Sequence, residues 1–136
     1  VHKAWMSARR TAILRRGFLH YRVDNSNSSV KSTAKVFAVC DEYESSVAFM
    51  NKDPELVSAF AEILNLLKLG TYKWNFNRLA GEARREFGAR MAAEYAQAKE
   101  AGTLNPSYFN KTDFFKLNLM MDDLDGFLLA YEDNDI

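Results

Sequence analysis

A single cysteine, Cys40, excludes an internal disulfide framework, so the chain must be held by a packed core. Only two prolines, Pro54 and Pro106, interrupt 136 residues, and the six glycines fall mostly where periodic segments pause. Such sparse punctuation argues for long helices over many short strands. No apolar run approaches the roughly 18 to 20 residues of a membrane span. His2 and His20 have no third ligand at useful spacing, which excludes an ordinary transition-metal site. There is no glycine-rich phosphate loop, no internal repeat and no low-complexity tract. The 18 basic and 18 acidic side chains cancel, which disfavours a generic nucleic-acid binder. The length fits one domain able to bury about two-thirds of its unfolded surface, and these features together point to a soluble, intracellular protein.

The apolar spacing predicts a single all-α domain, a helical bundle of four to five helices. The first is expected from His2 to Val23, ending in the polar run Asp24-Asn25-Ser26-Asn27-Ser28-Ser29, which competes for backbone hydrogen bonds. The second is expected from Ser32 to Met50, with Cys40, Tyr43, Val47 and Met50 on one face, although Lys35 to Cys40 taken alone has strand character. Asp53 followed by Pro54 marks the start of the third, because a carboxylate caps free amides and proline at the first position lacks only a hydrogen that would go unused. Gly70 is its expected stop. In that helix Glu55, Ser58, Glu62 and Asn65 form one polar stripe, and the rest of the circumference is apolar, so residues 56–69 are expected to be the most buried element.

A fourth helix is expected from Trp74 to Ala101, with Phe76, Leu79, Ala83, Phe87, Met91, Tyr95 and Ala98 inward. The pairs Arg78–Glu82 and Arg90–Glu94 are placed as exposed i,i+4 contacts. Gly81 and Gly88, seven apart, suggest a close neighbouring backbone. Beyond a turn at Thr103 to Ser107, an apolar segment from Phe114 to Leu129 forms the last helical stretch, before an acidic end.

Candidate chemistry is sparse. Asp123, Asp125, Gly126, Leu128 and Glu132 match five positions of a calcium-binding EF-hand loop, but the first position is Met121, and an acidic helix end is the preferred reading. Cys40 lies beside Asp41, but its periodicity points inward and both histidines lie in the first helix, so a nucleophilic site is not expected. No enzymatic activity and no cofactor are expected.

What the chain does have is charge polarity. Its first 23 residues carry Lys3, Arg9, Arg10, Arg15, Arg16 and Arg22 with no acid, and its last 24 carry seven acids against Lys116 alone. Arginine mixed with large apolar side chains suits a docking surface for an acidic partner. Arg9, Arg10, Ile13, Leu14, Arg15 and Arg16 are therefore the expected partner-binding residues. The alternative is a nucleic-acid-binding module, such as a viral one, in which Trp5, Phe18 and Tyr21 stack on bases among these arginines. The start at Val1, within an arginine-rich stretch, fits either a trimmed organellar precursor or an excised fragment.

Ile13-Leu14-Arg15 followed by Asp53-Pro54-Glu55 resembles the LYR-motif proteins, small three-helix mitochondrial subunits and assembly factors, over residues 5–70. Leu14 stands where that family has tyrosine. The resemblance implies a mitochondrial location and an acyl carrier protein docked on the first helix, facing Arg15 and its basic neighbours. A shorter stretch, Lys116 to Leu124, is similar to part of the small helical matrix-side subunit of the cytochrome bc1 complex. Together they imply an accessory subunit of a respiratory complex. The expectation is a non-catalytic helical accessory subunit or adaptor, acting by protein–protein docking among other subunits of a larger assembly.

Overall fold

The computed structural model describes residues 1–12, 36–132 and 134–136, and among these every regular element is helical. Among the described residues six α-helices follow one another: α1 His2–Ser7, α2 Ala38–Met50, α3 Pro54–Phe76, α4 Gly81–Glu100, α5 Lys111–Asp122 and α6 Leu124–Ala130, with a 3-10 turn at Pro106–Tyr108. Neighbours in sequence are mostly neighbours in space. α1 packs on α2, α2 on α3, α3 on α4, α4 on both α5 and α6, and these last two on each other.

α1 stops far short of the expected Val23. Ala8 is extended, and residues 8–12 are non-helical and exposed. Met6 is the one buried side chain of α1, and a helix with so little to bury has nothing beyond weak propensity to sustain it. The remainder of the expected first helix, and its polar loop, lie outside the described residues. α2 is a helix rather than a strand, and it buries Cys40, Tyr43, Ser46 and Met50. Ser46 takes an inward position because its hydroxyl donates to the Glu42 carbonyl at 2.9 Å.

α3 starts as its sequence dictates: Asp53 accepts the Glu55 amide at 2.9 Å and Pro54 occupies the first turn. It does not end at Gly70. Tyr72 and Phe76, both wholly buried, continue the inward series Ala61, Leu64 and Leu69, and that burial outweighs the cost of about 1 kcal/mol for a mid-helix glycine. Trp74 therefore belongs to α3, and α4 begins seven residues later than expected. Gly81 opens α4 with φ +54°, a conformation that disfavours any side chain, so it is a turn residue and not part of a helix–helix contact. The break also separates Arg78 from Glu82. Arg78 instead lies over the Trp74 ring, 4.3 Å from its centroid.

Gly88 does mark a close approach, to side chains rather than to a backbone. A β-carbon there would sit 3.2 Å from Phe76 and 3.4 Å from Leu124. The C-terminal apolar segment is two helices, because Asp123 ends α5 and its carboxylate accepts the Gly126 amide at 2.9 Å to cap α6. The core is centred on Tyr72, Phe76, Phe87, Met91, Tyr95, Leu117, Met120 and Phe127. Polar contacts fasten the C-terminus to it: the Ile136 amide donates to Asn77 Oδ1 at 3.0 Å, and Arg84 donates to the Tyr131 and Asn134 carbonyls at 2.7 and 3.0 Å.

A candidate functional site around a buried lysine

α3 divides its surface differently from the expected pattern. Asn65, assigned to the polar stripe, is buried: its amide donates to the Thr103 carbonyl at 2.9 Å, and its own carbonyl accepts the Tyr95 hydroxyl at 2.8 Å. Glu62 likewise accepts the Asn105 amide. The second half of the stripe, Glu62 and Asn65, faces the turn after α4, whereas Glu55 and Ser58 remain exposed as expected. Ile63, Leu67 and Trp74 take the outward positions instead, with exposures of 41%, 40% and 53%.

On the opposite flank of α3 lies a groove of about 520 Å³, walled by α2 and α4. Val47, Met50, Val57 and Leu64 give it apolar surface, and Lys68, Arg90 and Glu94 form its polar end. Lys68 is only 4% exposed. Its ammonium donates to Glu94 Oε2 at 3.3 Å and lies 4.6 Å from the centroid of the Tyr95 ring. Glu94 is the hub of this cluster: the Tyr72 hydroxyl donates to the same oxygen at 2.7 Å, and Arg90 Nε donates to Oε1 at 3.3 Å. Arg90 reaches on to Asp41 and Glu44 of α2, bridging the two walls. The expected Arg90–Glu94 pair thus forms, but as part of a partly buried network.

Burial is the largest influence on Lys68 and lowers its pKa below 10.5, opposed by the charge and hydrogen bond of Glu94. Tyr72 and Tyr95 are pushed far above 10.0, again mainly by burial, with Glu94 adding to both shifts. Cys40, wholly buried beside this cluster, has its thiol raised above 9.0 by the same cause. A protonated, enclosed thiol is a poor nucleophile.

The sequence pattern missed Lys68. A signal was present, since Ala61, Leu64, Leu69 and Tyr72 surround its position on the helical wheel and place it on the inward side. Of the expected partner-binding residues, Arg9 and Arg10 are exposed in the segment after α1, and Ile13, Leu14, Arg15 and Arg16 lie outside the described residues. Trp5 is exposed and meets His2 edge-on. In the EF-hand-like stretch Asp123 serves as a helix cap, and Asp125 pairs with Arg85. Among the described residues no cluster of three or more His, Cys, Asp or Glu side chains is placed to hold a metal ion, and no helix is long and apolar enough to cross a membrane. No protein-family model, curated protein or solved structure matches the chain.

Proposed function

We propose that the protein is a non-catalytic helical accessory subunit or adaptor that acts by protein–protein docking. The observation that carries this reading is the outward face of α3, where Ile63, Leu67 and Trp74 stand exposed on a helix whose opposite face is in the core. Large apolar groups aligned at helical spacing are the anchors by which one helix receives another. Arg78 stacked on Trp74 adds a cation at one end of this face, and tryptophan and arginine are both enriched among residues that dominate binding energy. Contacts through His2, Tyr43 and Thr71 link α1 to the middle of α3: the first two rings are 4.9 Å apart, and the Tyr43 and Thr71 hydroxyls are 3.0 Å apart. α1, with the cation of Lys3, thus belongs to the same part of the molecule, and the basic character of the N-terminal sequence favours a partner with acidic flanks.

A photo-crosslinking side chain at position 67 or 74, used in the native source, should capture one defined polypeptide, whereas the same group at exposed Ser58 should not. Capture of nucleic acid, or indistinguishable yields from all three positions, would reject the docking face. The resemblance to LYR-motif proteins offers an acyl carrier protein as a partner for Arg15 and Arg16, and a mitochondrial assembly as the setting. That is a separate proposal, tested by whether Arg15→Glu with Arg16→Glu abolishes retention on immobilised acyl carrier protein.

A further inference from the structure

The groove between α2 and α4 is distinct from the outward face of α3, and its volume of about 520 Å³ lies in the range of small-molecule sites. Its chemistry is concentrated at Lys68. An ammonium has three N–H donors, and among the described residues Lys68 uses one, toward Glu94. Glu94 also accepts from Tyr72 and Arg90, and Arg90 is shared with Asp41 and Glu44. Among the described residues, every cation at this end of the groove therefore already faces a carboxylate. An anionic ligand would meet Glu94 and Glu44 with no unpaired positive charge among the described residues to offset them. A neutral molecule with an apolar body and one acceptor oxygen fits instead, its body against Val47, Met50 and Leu64 and its oxygen at Lys68.

We propose that Lys68 is a covalent capture site for small apolar aldehydes, held as an imine in the α2–α4 groove. The geometry brings the three requirements together: an amine lining an apolar groove, a carboxylate in contact with it, and a hydroxyl, that of Tyr72, on the same carboxylate oxygen. Burial favours the neutral amine, as for other lysines that act as nucleophiles. Glu94 receives the ammonium proton and releases the nitrogen lone pair. The lone pair attacks the carbonyl carbon, forming the C–N bond while the carbonyl electron pair moves to oxygen. That oxygen takes the proton held by Glu94, and the nitrogen returns one of its two protons to the carboxylate, giving a neutral carbinolamine. The nitrogen lone pair then expels the hydroxyl, which leaves as water with the proton from Glu94, and the resulting iminium gives its last proton back to Glu94, leaving the C=N bond. Amine and aldehyde become imine and water, and no oxidant or reductant enters.

The test uses the folded chain with one equivalent of octanal at pH 7, trapped by cyanoborohydride as the secondary amine and mapped by peptide mass spectrometry. Lys68 should be labelled at least tenfold more than any of the other eight lysines, with Val1 resolved separately as the other reactive amine. Prior unfolding should erase the preference. Ala98→Trp, or Gln97→Trp should the first fail to fold, should obstruct the groove and suppress labelling at Lys68 while surface lysines are unchanged. Labelling at Lys68 no greater than at surface lysines would overturn the proposal and leave Lys68–Glu94 as a structural ion pair. Labelling undiminished by a folded groove-filling variant would overturn the groove as the binding site.

Discussion

Two leucines three residues apart in α3 have opposite fates: Leu64 is 4% exposed and Leu67 is 40% exposed. Replacing Leu64 by alanine removes apolar contacts and opens a cavity, so a loss of about 2 to 5 kcal/mol is expected. Leu67→Ala should cost less than about 1 kcal/mol, because its side chain already meets solvent. Urea titrations with an unchanged slope would measure both losses. Equal costs at the two positions would mean that α3 is rotated from its described orientation. The polar side chains of this helix follow the same geometry. Asn65 and Lys68 are buried because each has a specific partner, Thr103 with Tyr95 for one and Glu94 for the other, which is the condition for burying polar groups without a large desolvation loss.

Helix-level behaviour is separated by two glycines with opposite surroundings. Nothing lies within 4 Å of a β-carbon built on Gly70, whereas one built on Gly88 would press on Phe76 at 3.2 Å. Gly70→Ala should therefore raise stability by up to about 1 kcal/mol through helix propensity alone. At Gly88 that same gain is opposed by crowding. Phe76 is wholly buried, with Phe127 against one side and the Arg84 guanidinium over its ring, so it has little room to yield. Gly88→Ala is expected to be net destabilising by about 1 kcal/mol, within the range for overpacked cores. Thermal melts of the two single variants check the signs, and a stabilising Gly88→Ala would show that the α3–α4 contact is looser than described.

For the whole molecule, the buried cluster predicts alkaline unfolding. Tyr43, Tyr72 and Tyr95 are raised above 10.0 and Cys40 above 9.0, in each case chiefly by burial. The folded chain keeps these protons after the unfolded chain has released them, so stability is full below about pH 9 and falls as pH rises beyond. Lys68 acts with the opposite sign. Its folded pKa lies below 10.5, so the unfolded chain binds the extra proton and this one group gains stability up to that pH. Four groups outweigh one. Each tyrosine that stays protonated contributes a fall of about 1.4 kcal/mol per pH unit above 10. Chemical denaturation between pH 8 and 11.5 should show the decline, and Tyr95→Phe should make it shallower. Stability unchanged to pH 11.5 would contradict the enclosure of these hydroxyls.

Local information was sufficient wherever neighbouring residues alone settle the outcome. The sparse proline and the 3.6-residue apolar spacing determine an all-helical chain, Asp53-Pro54 determines where α3 begins, and the periodicity of α2 turns Cys40 inward, as found. Tertiary packing decided the rest, because each remaining question depends on what a helix meets. Burial of Tyr72 and Phe76 carried α3 through Gly70, and the exposure of residues 8–12 left nothing to carry α1 beyond Ser7. The contacts of Glu62 and Asn65 with the turn after α4 placed that half of the polar stripe against protein and left Ile63, Leu67 and Trp74 outward. The Lys68–Glu94 pair joins residues 26 positions apart. A single helical period specifies a face but not its neighbour, and only the packing of α3 between α2 and α4 turned that lysine into a site.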